Sequence, residues 1–487
     1  MKNECIQETQ AIRNSEGRCR RIRRRRSSVF SGAAAAGAAL ILFGLASAAI
    51  AETSSVDISG EMDIRSRYFS ELDLNKSNGA DANQAYTQQR IILDFKVKSD
   101  DFRGKLSLWN DYDTWGRFES PQGDQTTAAG WSPLLSSPSA TNSGYLTVRE
   151  AWIDFTLPGT PIGITVGHQF IVLDQGWFLR SGYAGSDAWV VSTPIANHTL
   201  ALVDLKAFEG GIGSSSDDID LYTGLDTIKL NDTMTAGIDV TLLRDRAGKL
   251  IGNYEKFATG ATPPAAAKDL SLTNVGLSFT GKTGPVKLKA EVDIQEGKWK
   301  GGASNGDDVT FSGNQIVLQG SLPIDSFTIN ATIARGSGDK HDKGAGIDNK
   351  NEAIITLMDA TQHYTLLYDY KIRTAEGFLY TGFANTTAVS IGAMYRAAKS
   401  IEFGGDVWYL LATEKTNINS TAGGFGTGGL SNDIGTEVDL KANWLLSEHL
   451  NWLWQAAYFK PGNAYRQADG TGTDAALGVQ GVLSFRF

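Results

Sequence analysis

Residues Val286–Gln295 read VKLKAEVDIQ: Val286, Leu288, Ala290, Val292 and Ile294 alternate without a break with Lys287, Lys289, Glu291, Asp293 and Gln295. Successive side chains of a β-strand point to opposite faces, so this segment has one apolar wall and one charged wall. A soluble sandwich turns the apolar wall inward against a second sheet. A transmembrane barrel turns it outward to lipid and leaves the charges lining a wet lumen. The stretch reduces the choice to these two, and its surroundings decide between them.

The same period runs through most of the chain. Val56, Ile58, Met62, Ile64 and Tyr68 oppose Asp57, Ser59, Glu61, Asp63, Arg65 and Arg67. Near the end, Ile434, Val438, Leu440, Ala442 and Trp444 oppose Glu437, Asp439, Lys441 and Asn443. The regular stretches run roughly 9 to 14 residues, the length of tilted strands crossing a bilayer, where soluble strands average about 5 to 6. Tight connections (Ser99–Asp101, Pro158–Pro161, Asn231–Asp232, Pro323–Ser326, Ser447–His449) alternate with long ones. The long ones are Ser70–Gln84, Gly116–Asn142, Asp174–Asp187, Ala247–Asp269, Ser337–Phe378 and Lys415–Ser431. Short turns at one rim and long loops at the other are the layout of outer-membrane barrels. Trp452, Trp454, Tyr458, Phe403 and Tyr409 fall in the apolar phase and suit interfacial girdles. The chain closes on LSFRF, whose Phe485 and Phe487 resemble the terminal signal read by the barrel-insertion machinery.

These features predict an all-β, transmembrane, antiparallel barrel with short periplasmic turns and long extracellular loops. Segmentation gives 18 strands, from 55–69 to 475–487. The weak member is Ala188–Pro194, short and proline-bearing; without it the count becomes 16. Either number leaves an aqueous channel.

The first 51 residues differ from the rest. They hold both cysteines, Cys5 and Cys19, and 9 basic residues against 3 acidic ones. Arg20–Arg26 is a basic cluster, Val29–Ile50 an uncharged apolar run, and Ala49-Ile50-Ala51 a small-residue cleavage pattern. Residues 1–51 therefore read as a cleaved signal peptide, with the barrel domain spanning 52–487. A retained membrane helix is the rival reading of the 22-residue run. The remaining 436 residues carry 36 basic and 51 acidic side chains, a formal charge of −15, and no cysteine. That excludes a disulfide scaffold, thiolate-bound metal and CxxCH haem attachment, and it argues against nucleic acid as a partner. No cofactor is expected. The five histidines show no paired metal spacing, and no nucleophile or nucleotide motif stands in strand–helix context, so no enzyme is expected.

Between Tyr86 and Trp189 the chain reads AYTQQRIILDFKV, FRGKLSLWNDYDTWG, REAWIDFTLP and ITVGHQFIVLDQGWF. This stretch resembles the outer-membrane homotrimeric porins of sulfate- and metal-reducing bacteria. The similarity rests on Gln89-Arg90, Asp113–Gly116, Arg149–Phe155 and Ile164–Gln169, with His168 where many relatives carry arginine. The resemblance implies a homotrimer in the bacterial outer membrane and passive diffusion of small hydrophilic solutes and ions.

Porin selectivity resides where the lumen is narrowest, and the third long loop of trimeric porins folds inward. Here that loop is Asp174–Asp187, supplying Asp174, Asp187 and Arg180. Inward-phase bases of the early strands, Arg65, Arg67, Arg90, Lys96, Arg103 and Lys105, would face it. Opposed charges create a transverse field that orients dipolar solutes. Three alternatives compete with a general porin. The first is a substrate-specific channel, with Trp109, Trp152 and Trp408 in the inward phase. The others are a barrel sheathing an electron-transfer partner and a secreted sandwich.

Overall fold

A computed structural model describes residues 55–74, 83–115, 146–183, 185–210, 217–246, 269–301, 307–340, 349–358, 362–373, 382–416, 430–466 and 472–487. The expected signal peptide lies outside these residues.

Eighteen strands form the wall. They are β1 (Ser55–Ser70), β2 (Gln84–Lys98), β3 (Phe102–Thr114), β4 (Thr147–Thr156), β5 (Gly163–Gln169) and β6 (Ser186–Ile195). Then come β7 (His198–Phe208), β8 (Ile219–Asn231), β9 (Met234–Asp245), β10 (Leu270–Thr283), β11 (Val286–Trp299) and β12 (Asn314–Ile324). The last are β13 (Phe327–Gly336), β14 (Thr386–Ala398), β15 (Ile401–Thr416), β16 (Ser431–Leu445), β17 (Leu450–Pro461) and β18 (Ala476–Arg486). Each pairs antiparallel with the next, and β18 pairs with β1 from Glu61↔Arg486 to Ser70↔Leu477, so the sheet closes and has no edge. Two mutual backbone hydrogen bonds between Gly60 and Phe487, 3.0 and 3.1 Å, finish the seam.

The count is 18, not 16, because the doubtful segment is a ten-residue strand paired on both sides. Pro194 stands beside the Ala196–Asn197 turn, at the strand's end, where a missing N–H costs the ladder least.

The alternation read from Val286–Gln295 resolves as lipid outside and charge inside. Leu288 and Ile294 are 41% and 56% exposed, while Glu291 and Asp293 are each 1% exposed. A row of exposed aliphatic side chains alternating with sealed carboxylates inverts the order of a soluble sandwich, and a barrel with inserted segments shows both. Val56, Ile58 and Tyr68 likewise face outward, and Asp63 and Arg67 are buried. Ile434 departs from its expected phase. It bulges from the β15–β16 ladder between Gly435 and Asp433 and is buried inside.

Aromatic side chains gather on the outer face toward the short-turn rim. Phe327 stacks on Tyr395 at 4.7 Å, Trp452 meets Trp454 at 5.1 Å, and Phe485 meets Phe487 at 5.9 Å. Inside, two apolar clusters form where wall residues meet inserted chain. Leu205, Leu221, Leu243, Leu272 and Trp299 receive Phe178, Leu179, Ile355 and Leu357. Trp408, Leu410 and Phe459 receive Trp177, Leu367 and Tyr368.

Candidate functional site

Two long connections enter the bore. The first runs from β5 to β6. A tight turn, closed by Gly176 N–H to Leu173 O at 2.7 Å, places Asp174 at φ 51° and Gly176 at φ 81°. Its successive N–H groups converge on one wall carboxylate: Gln175 N donates to Glu291 Oε2 at 2.7 Å, and Trp177 N and Phe178 N donate to Oε1 at 3.0 and 2.9 Å. Ser278 donates to the Asp174 carboxylate, and Gln175 Nε2 donates to Thr280 Oγ1 at 2.9 Å. Glu291, Ser278 and Thr280 lie on the inward phase of β10 and β11, so the segment reaches wall strands well removed from those that carry it. Trp177, Phe178 and Leu179 are buried, worth about 1.5–3 kcal/mol each.

The second is part of the connection from β13 to β14. Gln295 brackets Ile355, with Nε2 donating to its carbonyl at 2.7 Å and Oε1 accepting its N–H at 2.9 Å. Farther along, Leu367 N and Tyr368 N donate to Glu437 Oε1 and Oε2 at 2.6 and 2.8 Å, where the turn Tyr368–Ile372 begins. Arg373 closes the segment by donating to the carbonyls of Gly382 (2.7 Å) and Ala384 (3.1 Å). The two segments touch. Leu179–Arg180 pairs in parallel with Leu357–Met358, and Gln362 Nε2 donates to Gln175 O at 3.3 Å.

Facing them is a cluster of arginines and phenols on β1 to β4. Arg65 and Arg90 lie 3.4 and 4.8 Å from the centroid of the Tyr112 ring. A β-bulge opposite Arg90 puts two residues, Asp111 and Tyr112, against one, and Tyr112 takes φ 39° there. A second bulge frees Arg149 from the β3–β4 register; its guanidinium lies over Phe170 at 4.6 Å and its Nε donates to Tyr183 O at 3.1 Å. Arg67 donates to the Tyr370 hydroxyl at 2.7 Å, and Lys371 to the Tyr86 hydroxyl at 2.9 Å. Burial opposes ionisation of the Tyr370 phenol, but Arg65 and Arg67 outweigh it and pull its pKa below the ordinary value.

The pairing within this cluster is uneven. Arg90 has Glu61 at 2.7 Å and Asp63, and Lys105 has Glu150 and, at 3.4 Å, Asp94. Arg65, Arg67 and Arg149 are held by neutral groups: the Gln88 amide, a phenol, a carbonyl and aromatic rings. Among the described residues no carboxylate lies within ion-pair distance of these three. Asp239, Glu291 and Asp293, all buried, stand on the inward face of β9 and β11, with Asp174 beside them. Burial pushes the Asp174 carboxyl upward, against the Ser278 hydrogen bond.

Of the residues singled out in the sequence, Arg65, Arg67, Arg90 and Asp174 lie at the inserted segments. Arg180 lies within the first segment, on its bridge to the second. Lys105 sits lower on the wall in its carboxylate pair. Arg103 belongs to the short-turn rim, 65% exposed and donating to Asp154 at 2.6 and 2.9 Å, and Lys96 is exposed toward the same mouth. Asp187 is a correction. It shares the phase of outward-facing Trp189, and its side chain, 72% exposed, pairs with His168 at 2.8 Å on the outside of the barrel. The sequence reading missed Arg149, Tyr112, Lys371, Glu291 and Glu437, along with the whole second inserted segment. One signal was present: Glu-Val-Asp occurs at both 291–293 and 437–439.

The family model of alginate export matches residues 254–479, under half of the chain. The stretch Tyr86–Trp189, on which the expectation of a porin of sulfate- and metal-reducing bacteria rests, falls outside that match, and the match does not support that family. No curated protein matches. Among solved structures, OccK9 (OpdG) of Pseudomonas aeruginosa aligns at TM-score 0.50 and 13% identity over 88% of this chain and 98% of that one. A BenF-like porin from Pseudomonas fluorescens Pf-5 aligns at 0.49 and 14%, over 88% and 98%. OccK11 (OpdR) of P. aeruginosa aligns at 0.49 and 9%, over 89% and 96%. At such identities the likeness concerns the fold alone. The fold is that of a porin-like β-barrel of the outer-membrane type.

Proposed function

We propose that this chain is an outer-membrane channel that passes small hydrophilic solutes passively and favours those bearing an anionic group. It works as a channel rather than an enzyme. The observation that carries this reading is the set of three inward arginines, Arg65, Arg67 and Arg149, held by neutral partners beside inserted segments that narrow the bore. A solute carboxylate about 4 Å from one of them gains about 4 kcal/mol at an effective dielectric constant of about 20. An acidic polysaccharide is the second reading, favoured by the alginate-export match over 254–479.

Planar-bilayer recording in a salt gradient tests the proposal. Discrete conductance steps with a reversal potential on the anion side are expected, and Arg65→Gln with Arg67→Gln should move that potential toward cations. A cation-selective pore indifferent to these substitutions overturns it. Block by an oligouronate, but not by monomeric carboxylates, would favour the polysaccharide reading.

Export and assembly complete the proposal. Residues 1–51 are removed on export, which N-terminal sequencing of the membrane-extracted protein checks against Glu52. Phe485 and Phe487 present the insertion signal; deleting Phe487 should slow assembly in the presence of the insertion machinery. The barrel assembles with two further copies in outer-membrane lipid, and a cross-linked ladder stopping at monomer refutes that.

A further inference from the structure

The two Glu-Val-Asp sequences perform the same task. At 291–293 on β11 and at 437–439 on β16, the valine faces lipid and the flanking carboxylates face the bore. Each glutamate is buried and accepts adjacent backbone N–H groups of an inserted segment, three at Glu291 and two at Glu437. The aspartate two residues on is tied into the wall at 293, where Asn274 and Gln315 donate to it at 2.9 and 2.7 Å, and lies beside Glu437 at 439. Each acceptor is aimed at peptide groups, so the solute has no part in satisfying it.

We infer that Glu291 and Glu437 are paired latches that set the aperture: positioning residues that hold the two inserted segments in the bore and act on permeation only through them. The latches are mechanically joined. The bridge between Leu179–Arg180 and Leu357–Met358 ties one segment to the other, and Gln295, on the same strand as Glu291, holds Ile355 of the second. Releasing either glutamate therefore leaves its segment partly held by the other. The inference rests on the channel reading above.

Glutamine at either position keeps one acceptor oxygen, loses the charge and points an N–H₂ at N–H donors. Single-channel recording of Glu291→Gln, Glu437→Gln and the double variant reads the consequence. Each single variant should raise the ratio of wide to constricted dwell time at least tenfold, equivalent to about 1.4 kcal/mol. The double variant should exceed the product of the single factors, because the bridge no longer has a fixed side.

The mature chain has no cysteine, so Gln175→Cys and Thr280→Cys can carry a short bifunctional methanethiosulfonate in the Glu291→Gln background. The cross-link should restore the constricted conductance, and reductant should abolish that rescue. Absence of steps from the unaltered protein defeats the channel reading. Normal steps from it, with Glu291→Gln unchanged and the cross-link silent, overturn the latches while leaving the channel standing. If the double variant fails to insert, as judged by heat-modifiable gel mobility, the single variant and its rescue decide.

Discussion

Arginine in place of Leu440 tests the inside-out wall at a single position. Leu440 is 57% exposed on the outer face and stands five residues before Leu445, the end of β16. At about 3.4 Å per residue and a tilt near 40°, that is about 13 Å above the short-turn rim, close to the middle of an apolar band about 25 Å tall. A lipid-facing arginine at that depth costs about 2–4 kcal/mol. Asn443, three residues along, has the opposite phase and pairs with Glu402 across the β15–β16 ladder. Arginine there enters the wet side next to a carboxylate and should change stability by about 0.5 kcal/mol or less, as surface substitutions do. Lys441, already inward beside Leu440, shows that the wall accepts charge at this depth on that face. Reversible urea unfolding from phosphatidylcholine vesicles, followed by tryptophan fluorescence, measures both variants. Equal costs for Leu440→Arg and Asn443→Arg, or a larger cost for Asn443→Arg, would refute the assignment of faces.

Three further substitutions address the wall and the first inserted segment. Gly167 sits at φ 126°, and a Cβ there would strike the Ala151 carbonyl; Gly167→Ala should lower stability by about 1–3 kcal/mol in the same assay. Gly159, at φ 76° in an open turn, has no atom within 4 Å of the added carbon, so Gly159→Ala should cost about 1 kcal/mol or less. Burial raises the Asp174 pKa above its ordinary 3.8, so between that value and the raised one the folded state holds the proton that the unfolded state has lost. Stability from this group therefore falls as pH rises through that window, and Asp174→Asn should gain on the unaltered protein as pH goes up. A difference between the two that is flat with pH would remove Asp174 from the account.

The wall was legible in the sequence because a closed sheet with lipid outside imposes period two on every strand, and even Pro194 obeyed by standing at a strand end. The site was legible only where that period holds. Arg149 shares its sequence phase with Ala151 and with Ile153, which faces outward, and a bulge of one residue re-aims it. Tyr112 reaches Arg65 and Arg90 through a bulge of the same kind. Asp187 had the information in its own phase, which it shares with Trp189, but its position at the edge of a long loop suggested a lumen residue. The inserted segments follow no local rule. Gln175 meets its acceptor 116 positions away and Leu367 meets its acceptor 70 positions away. Only the recurrence of Glu-Val-Asp on two inward-facing walls hinted at them.

Charge in the bore follows the same distinction between pattern and partner. The formal charge of −15 over residues 52–487 suggests a pore for cations. Several of the acids are already engaged: Glu61 and Asp63 by Arg90, Asp94 and Glu150 by Lys105, Glu291 and Glu437 by backbone N–H groups. A paired carboxylate contributes little field to a passing ion, whereas an arginine held by an amide, a phenol and a ring keeps nearly all of its charge. Three cations of β1 and β4, Arg65, Arg67 and Arg149, are held in that way even though the chain is acidic. The net charge of a barrel counts every ionised group equally, while a solute in the narrows responds only to those whose neighbours have left them uncompensated.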